Sequence, residues 1–272
     1  MTNQITIQLN EQSTEIADGT TLHELRKQYR PNADLIILNG YPAADDSVLG
    51  NNDRVVLITR GEAPSTDEYE ALLTARHTPG VHEQIRSARV GIAGVGGLGS
   101  NIAIALARLG IGALVLTDFD VVEPSNLNRQ QYFSDQIGLP KVKAMAETLK
   151  RINPHLSIEL HHARITPENI GTLFNAVEVM VEAFDAADQK AMLVETFRAR
   201  FPGIPLVAAS GMAGYAPSNS ITTRRAGHNF YLVGDEVTAA RPGEGLMAPR
   251  VGIAAHHQAN AVLRLLLGEE PQ

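Results

Sequence analysis

A glycine-rich run near the middle of the chain has the spacing of a phosphate-binding turn: Gly94-Val95-Gly96-Gly97-Leu98-Gly99. It follows a predicted strand and opens a predicted helix. Glycines allow a tight turn and a close approach to a phosphate, which the positive N-terminus of a helix attracts. Asp118 ends the next predicted strand, where a carboxylate can accept hydrogen bonds from ribose hydroxyls. Together these features predict a nucleotide site, although the glycines could instead serve only close packing of the helix on the strand.

Polar and cationic residues follow Asp118 along the chain: Asp120, Asn126, Arg129, Gln130 and Lys141. An NAD-dependent oxidoreductase needs one acid at the ribose position and places catalytic His or Lys residues later in the chain. Two cations and several amide donors beside one nucleotide suit a triphosphate better than a dinucleotide. The sequence therefore favours ATP. An NAD-dependent oxidoreductase stays a competing hypothesis, and so does a solvated surface position for Arg129 and Lys141.

The elements that must position these residues alternate between strands and helices. The predicted strands are residues 89–93, 113–117, 157–161, 177–182 and 206–209. The predicted helices are residues 100–109, 141–152, 167–176 and 187–201, followed by a hairpin over 221–233 and a last helix over 252–267. This alternation predicts an α/β fold with a doubly wound, mostly parallel sheet, whose strand ends carry the site.

The N-terminal region has a different pattern. Ile5, Ile7 and Leu9 alternate with polar residues, as in a half-buried strand. Thr21 and Glu24 have the spacing of a capping box at the start of a helix. A second strand before this helix and two after it, the first closed by an Asn-Gly turn, give the order ββαββ. That order predicts a small β-grasp domain.

The two patterns predict how the chain divides into domains. A β-grasp domain is expected over residues 1–61 and an α/β domain over residues 73–272. Residues 62–72 between them are polar and contain Pro64 and Ser65, which favours a linker. A short helix is predicted over residues 69–76.

Composition limits the classes of function. The 272 residues carry a formal net charge of −7, which argues against a nucleic-acid binder, because such proteins need basic surface to displace counterions from phosphates. The chain has no cysteine, which excludes disulfides, thiolate zinc sites and thiol nucleophiles. The sequence has no signal-peptide pattern and no apolar stretch near the length of a membrane span, so we expect a cytoplasmic protein.

The stretch from Gly94 to Lys141 resembles the adenylating domain shared by ThiF, MoeB and the ubiquitin-activating enzymes. The longer span from about Leu72 to Leu267 is similar to the ThiF-like branch called family 2, on the runs 181–185, 209–214 and 247–252. Residues 1–60 separately resemble ThiS, a β-grasp sulfur carrier, chiefly in element order and in Leu38-Asn39-Gly40. The resemblance implies a Rossmann-like ThiF/MoeB fold preceded by a ThiS-like domain.

The resemblance also implies a reaction. ThiF-like enzymes use ATP and Mg²⁺ to join AMP to the C-terminal glycine of the sulfur-carrier protein ThiS, in thiamine thiazole biosynthesis, and release pyrophosphate. In this chain, Asp118 would hold the ribose and Asp185 the Mg²⁺. The triphosphate would be held by Asn126, Arg129 and Lys141. The attacking carboxylate needs no general base, because it is already ionised near pH 7.

Relatives of this kind also use an arginine upstream of the glycine-rich turn, often supplied by the other subunit of a dimer. Arg76 is the candidate here, with Arg86 and Arg89 as rivals, and a helix C-terminal cation is the plain alternative for Arg76. We therefore expect a homodimer whose catalytic set is Arg129, Lys141, Asp185 and Arg76. Relatives guide the carrier tail with a region that contains, in this chain, Asn219, Thr222, Arg224 and Arg241.

The absence of cysteine separates this chain from many ThiF and MoeB relatives, which carry zinc-binding Cys pairs or a catalytic Cys. We expect no zinc and no covalent enzyme–carrier intermediate, so the acyl-adenylate would pass to a separate sulfurtransferase. The chain also runs from Gly61 straight into Glu62, so its ThiS-like domain has no free C-terminal carboxylate. That domain could be released by proteolysis, dock on the enzyme or a partner, or only stabilise the fold. Other open hypotheses are a MoaD-like carrier, a small carboxylate as substrate, and a non-catalytic scaffold.

Overall fold

A computed structural model describes residues 3–43 and 45–272 of the chain. The chain divides into two units, Met1–His82 and Glu83–Gln272. Helix α3 (Val81–Ile85) contains the division between them. In the described part of the chain, no helix combines the length and the apolar character needed to cross a bilayer.

The first unit is built on a five-stranded sheet with the order β2-β1-β5-β3-β4. β1 and β5 run parallel, whereas β1 pairs antiparallel with β2, and β3 antiparallel with β4 and β5. This is the predicted β-grasp arrangement with one additional two-residue strand, β4. The strands and the helix that lies between β2 and β3 in the chain are β1 (Gln4–Leu9), β2 (Gln12–Ala17), α1 (Leu22–Tyr29), β3 (Leu35–Leu38), β4 (Tyr41–Pro42) and β5 (Arg54–Ile58).

Alternation along β1 gives this unit its core. Ile7 and Leu9 are buried with the inward residues of β5 and with Leu22 and Leu25 of α1. The predicted capping box starts α1: the Thr21 hydroxyl accepts a hydrogen bond from the Glu24 amide, and the Glu24 carboxylate accepts one from the Thr21 amide. The apolar face of a short capped helix therefore closes the sheet.

Helix α2 (Thr66–Arg76) belongs to the first unit and begins three residues before the predicted start. Ser65 and Glu68 form a capping box that fixes this earlier start. Residues 62–72, predicted as a linker, thus contain the first turns of a helix. Glu68 also binds the β-grasp core directly, through Asn10 Nδ2 at 2.9 Å and Arg30 at 3.1 Å. The segment after β5 therefore folds back on its own domain.

The second unit contains a seven-stranded sheet with the order β11-β12-β10-β9-β6-β7-β8. All neighbouring strands are parallel except β11, which pairs antiparallel with β12. This confirms the predicted doubly wound, mostly parallel sheet. The strands are β6 (Arg89–Ala93), β7 (Ala113–Thr117), β8 (Ser157–His161), β9 (Val179–Glu182), β10 (Leu206–Ala209), β11 (Thr222–Gly227) and β12 (Phe230–Gly234).

Helices flank this sheet. One set packs together as α4 with α5 and α8, and α8 also contacts β9 and β10. The other set consists of α6 and α7. There, Phe174 and Phe197 are fully buried together with residues of β6, β7, β9 and β10. The predicted helix over 167–176 is only a short turn, and Phe174, with φ −125°, ends it. The helices are α4 (Gly97–Leu109), α5 (Lys141–Ile152), α6 (Ile170–Leu173), α7 (Ala187–Arg200) and α8 (Ala248–Leu266).

Candidate active site

The carboxyl ends of β6, β7, β8 and β9 meet around a cavity of about 210 Å³. Ligands bind at this edge in open α/β sheets, where the strand order changes direction. Most of the predicted site residues line this cavity: Gly94, Gly96, Gly97, Asp118, Asp120, Arg129, Gln130, Lys141 and Asp185. Chain segments far apart in sequence are thereby brought to one place.

The glycine-rich turn requires glycine for two separate reasons. Gly94 has φ +87°, a conformation that L side chains rarely adopt. A Cβ on Gly99 would lie 1.9 Å from the Gly94 carbonyl oxygen, so α4 can start here only without that side chain. No side chain caps the first turn of α4 at Gly96, which leaves its amide N–H groups available for an anion. Leu98 lines a neighbouring cavity, and Gly99 packs inside the turn.

Asp118 is held by the backbone so that its carboxylate faces the cavity. The Val95 amide donates to Oδ2 at 2.7 Å, and the Asp120 amide donates to Oδ1 at 2.8 Å. Each oxygen keeps a second acceptor position, which suits a ribose hydroxyl. Tyr132 supports the same turn, because its hydroxyl donates to the Val95 carbonyl at 2.7 Å. Burial is the main reason why the pKa of Tyr132 lies above its ordinary value, so this phenol keeps its proton.

Two cations in the cavity have different partners. Lys141 is buried, and its Nζ lies 2.9 Å from Asp120 Oδ2. Arg129 instead donates to neutral oxygens, the Ser125 carbonyl and Asn128 Oδ1. In the described part of the chain, Arg129 forms no ion pair. Its guanidinium can therefore meet an anionic ligand without first leaving a carboxylate.

Besides Arg129 Nε, two buried polar atoms of the cavity wall lack a partner in the described residues. These atoms are Thr117 Oγ1 and Gln130 Oε1. A buried polar atom without a hydrogen bond costs about 1 to 3 kcal/mol. A polar ligand in the cavity would satisfy both.

Asn126 has a different position from the one predicted. Its side chain is buried, accepts a hydrogen bond from the Glu123 amide at 3.0 Å, and caps the short turn before Arg129. It is not among the residues that line the cavity. Direct contact with phosphate stays a prediction, whereas its contact with the turn is evident.

Asp185 is one of the residues that line both the first cavity and a second one of about 440 Å³. It is exposed, and within the part of the chain that the structure describes its carboxylate forms no ion pair. Those residues contain no group of three or more His, Cys, Asp or Glu side chains that could hold a metal. A single carboxylate fits Mg²⁺ nevertheless, because this ion is commonly bound by one or two carboxylates together with substrate phosphates.

About half of the residues that line the second cavity are glycine, alanine or serine, and several come from the loops after β10 and β12. Gly211, Ala213, Ala239 and Ala240 are among them. Short wall side chains leave the volume of this cavity open to a ligand next to the first cavity. The walls of the cavity also include Lys190, whose Nζ lies 2.9 and 3.0 Å from the carboxylate oxygens of Glu182.

Several residues of the site were missed by the sequence prediction. Glu182 is fully buried at the end of β9, and Lys190 on α7 neutralises it. Arg164, after β8, lines the first cavity with Phe119. Position at the carboxyl end of a parallel strand is the signal that could have found Arg164. The Glu182–Lys190 pair has no local signal, because the two residues lie on different elements.

The predicted upstream arginines have partners of their own. Arg76 lies 2.9 Å from Glu11 within the first unit, and Arg89 is ion-paired with Glu159. The role of an upstream arginine therefore stays a prediction. Two of the four residues predicted to guide a carrier tail also form ion pairs, Arg224 with Glu236 and Arg241 with Glu244.

Comparisons with known proteins agree with this geometry. The family model called ThiF family matches residues 69–272, and the one called ThiS-like ubiquitin matches residues 5–61. Ubiquitin-like modifier-activating enzyme 5 of Culex quinquefasciatus is 34% identical over 186 residues, which cover 66% of this chain and 46% of that protein. Adenylyltransferase and sulfurtransferase UBA4 of Yarrowia lipolytica is 31% identical over 190 residues, covering 68% and 47%. The chain thus spans about half the length of these relatives, or less.

Solved structures share the fold at low sequence identity. Escherichia coli tRNA N6-threonylcarbamoyladenosine dehydratase, TcdA, in complex with AMP, has a TM-score of 0.67 at 23% identity. The match covers 76% of this chain and 98% of that chain. E. coli MccB with ATP has a TM-score of 0.52 at 23% identity, covering 70% and 59%. These likenesses establish the architecture of the second unit.

Proposed function

Because the chain belongs to the ThiF family, we propose that it is an ATP-dependent adenylyltransferase that joins AMP to the C-terminal carboxylate of a ubiquitin-like carrier protein. The meeting of the two cavities at Asp185 carries this proposal. One cavity combines an uncapped helix N-terminus, the Asp118 carboxylate that would bind the ribose, and the two cations Arg129 and Lys141. The other is larger, and about half of the residues that line it are glycine, alanine or serine. A nucleotide and an extended peptide end would thus meet at one carboxylate.

The proposed reaction needs no general base. A carboxylate oxygen of the carrier attacks the α-phosphorus of ATP, the bond from that phosphorus to the oxygen bridging to the β-phosphate breaks, and pyrophosphate leaves. No proton is transferred, because the attacking carboxylate is ionised near neutral pH. Catalysis then consists of in-line positioning and neutralisation of charge on the phosphates. Arg129, Lys141 and the N-terminus of α4 supply that neutralisation.

Asp185 would hold Mg²⁺ together with the phosphates. The ion would screen the phosphate charge when bound. The remaining residues fix the nucleotide: Asp118 accepts from the ribose, while Thr117 Oγ1 and Gln130 Oε1 gain the partners that they lack. Asn126 acts indirectly by shaping the turn that carries Arg129.

The acceptor is proposed to be a separate carrier chain and not the protein's own N-terminal domain. Gly61 is followed by Glu62, and α2 then returns to the β-grasp core through Glu68. The end of this domain is therefore anchored rather than free. Mass spectrometry of the purified protein should show only the full-length chain. A fragment ending at Gly61 would support the opposite view, that the domain is released as a carrier.

We propose a ThiS-type sulfur carrier with a diglycine tail as the acceptor, with a role in thiamine biosynthesis. The second cavity shares Gly97 and Asp185 with the first, so the end of a carrier tail bound there would lie beside the nucleotide. The chain contains no cysteine, so the acyl-adenylate would pass to a separate sulfurtransferase. A homodimer is also proposed, and light scattering on the purified protein tests it.

ATP–pyrophosphate exchange tests the function. The protein would be assayed with Mg²⁺ and ATP, with a separate ThiS-like carrier ending in Gly-Gly, and with the same carrier lacking its last glycine. Exchange should appear only with the intact carrier. The Lys141→Met variant should lose most of this exchange, whereas Lys143→Met, an exposed change on the same helix, should not. Normal ATP binding without exchange under any of these conditions would instead indicate a non-catalytic scaffold.

A further inference from the structure

An arginine and an aromatic ring form a stacked pair at the edge of the nucleotide cavity. The Arg164 guanidinium carbon lies 4.2 Å from the centre of the Phe119 ring, and both residues line the cavity. This separation is within the range of a cation–π contact. Neither residue belongs to the phosphate-binding set around Arg129 and Lys141.

The backbone on both sides of the pair is fixed. Asn169 Nδ2 donates to the Arg164 carbonyl at 2.9 Å, and His162 Nε2 lies 2.9 Å from the Phe119 carbonyl. The second contact joins the segment after β7 to the segment after β8. Although both side chains of the pair are partly exposed, the peptide units that carry them are held in place.

The order of the strands determines which part of a nucleotide would reach this pair. The phosphate-binding turn follows β6, and Asp118 follows β7. β8 is the next strand in the sheet, on the far side of β7 from β6. A nucleotide with phosphates on the turn and ribose at Asp118 therefore directs its base toward residues 163–165.

In the part of the chain that the structure describes, Arg164 forms no salt bridge, and the carboxylate that its charge influences is that of Asp188. Hydrogen bonds from Gln189 are the main reason why the pKa of Asp188 lies below its ordinary value, and the positive charge of Arg164 adds to the shift. Asp188 follows β9, on the other side of β6 and β7. The guanidinium thus lines the cavity in contact with the Phe119 ring and without a salt bridge.

We propose that Arg164 stacks on the nucleobase and, supported from behind by Phe119, closes the base end of the site. Arg164 is then a binding residue that favours a purine triphosphate, and Phe119 is its positioning residue. This inference rests on the proposed function only in taking a nucleoside triphosphate as the ligand; it requires no adenylation step. A planar guanidinium can stack on a ring, whereas a lysine ammonium offers only a point charge.

The test separates contact with the base from contact with the phosphates. Isothermal titration calorimetry would measure the binding of ATP and, separately, of inorganic tripolyphosphate to the full-length protein. Arg164→Ala should weaken ATP binding roughly tenfold, the usual effect of losing one stacking contact, and leave tripolyphosphate binding unchanged. Arg164→Lys should weaken ATP binding almost as much, because it keeps the charge and loses the plane.

Two further variants locate the effect. Phe119→Leu should weaken ATP binding less than Arg164→Ala does, again without an effect on tripolyphosphate. Arg151→Ala removes a second arginine–phenylalanine pair, 6.0 Å from the Phe133 ring centre, which does not line the cavity. This control should bind ATP as the unchanged protein does.

Several results would overturn the inference. If Arg164→Ala lost equal affinity for ATP and for tripolyphosphate, Arg164 would be a phosphate-binding cation. If Arg164→Lys bound ATP with unchanged affinity, the charge alone would matter. Unchanged ATP binding by Arg164→Ala would remove the residue from the site. Pyrophosphate exchange is measured separately, so a protein that shows the expected binding pattern without exchange would keep this inference and lose the proposed function.

Discussion

The ion pair between Asp235 and Arg250 ties together the loops around the second cavity. Their side chains are 9% and 3% exposed, and the two charged groups approach to 2.5 Å. Asp235 also accepts hydrogen bonds from the amides of Val237 and Thr238. Arg250 donates in addition to the carbonyls of residues 216 and 217. Replacing Asp235 by Asn would therefore remove a charge on which two loops and the start of α8 depend.

The size of the effect follows from the pKa of Asp235. Burial alone would raise this pKa, but hydrogen bonds from Thr238, Val237 and Arg250 lower it from 3.8 to about 2. A shift of that size corresponds to about 2.5 kcal/mol, since one pKa unit is about 1.4 kcal/mol. Asp235→Asn also leaves the Arg250 guanidinium buried without its counter-charge, a change that typically costs about 3 to 5 kcal/mol. We therefore expect a loss of about 3 kcal/mol near neutral pH.

The pH dependence has a definite sign. The pKa of Asp235 is lower in the folded than in the unfolded chain, so the stabilisation is complete above about pH 4. It is lost as pH falls from the unfolded value near 3.8 toward the folded value of about 2. The difference in stability between the unchanged protein and Asp235→Asn should be constant from pH 7 to pH 5 and shrink below pH 4.

Urea unfolding, monitored by amide hydrogen exchange in the second unit, would measure this difference in stability. Reporting on one unit matters because a chain with two units need not unfold in a single step. Glu244→Gln is the matched control, since its partner Arg241 is 75% exposed and such surface pairs contribute at most about 1 kcal/mol. Equal losses for the two variants, or a difference that does not change between pH 4 and pH 2, would refute the reasoning.

Three further changes have expected outcomes. Lys190→Met should cost about 3 to 5 kcal/mol in urea unfolding, because it leaves the fully buried Glu182 carboxylate unpaired; a loss below about 1 kcal/mol would contradict this. Gly99→Ala should abolish ATP binding in calorimetry, because its Cβ would lie 1.9 Å from the Gly94 carbonyl oxygen; unchanged affinity would show that the turn can open. Thr21→Ala should cost the first unit about 1 kcal/mol in thermal unfolding through loss of the N-cap, and no change in melting temperature would exclude that contribution.

Local patterns were sufficient to predict the glycine-rich turn between β6 and α4 and the mostly parallel sheet. Glycine spacing and strand–helix alternation depend on residues near in sequence, and the glycines at 94 and 99 prove to be required by backbone geometry. The earlier start of α2 was also available locally, because Ser65 and Glu68 have capping-box spacing. That signal was outweighed by the polar composition of residues 62–72.

Other features depend on which strands become neighbours. Arg164 gains its position only because β8 lies beside β7 in the sheet, and no periodicity or motif marks it. The pairing of Arg76 with Glu11 requires α2 to fold back on the β-grasp domain. Asn126 was assigned to the phosphates by resemblance, although its side chain caps a turn. The sequence can thus predict which polar residues are candidates for the site, whereas tertiary contacts determine which partners they have.

Arg129 and Lys141 would contribute differently to triphosphate binding, because their partners in the protein differ. Lys141 is kept in place by the Asp120 carboxylate at 2.9 Å, so it is already ordered before a ligand arrives. That order has a cost, because phosphates must compete with Asp120 for the ammonium. Arg129 contacts only neutral oxygens and faces no such competition. Phosphates therefore gain a new charge pair at Arg129 and exchange one at Lys141, so in our proposal Arg129 contributes more to nucleotide affinity and Lys141 more to orientation.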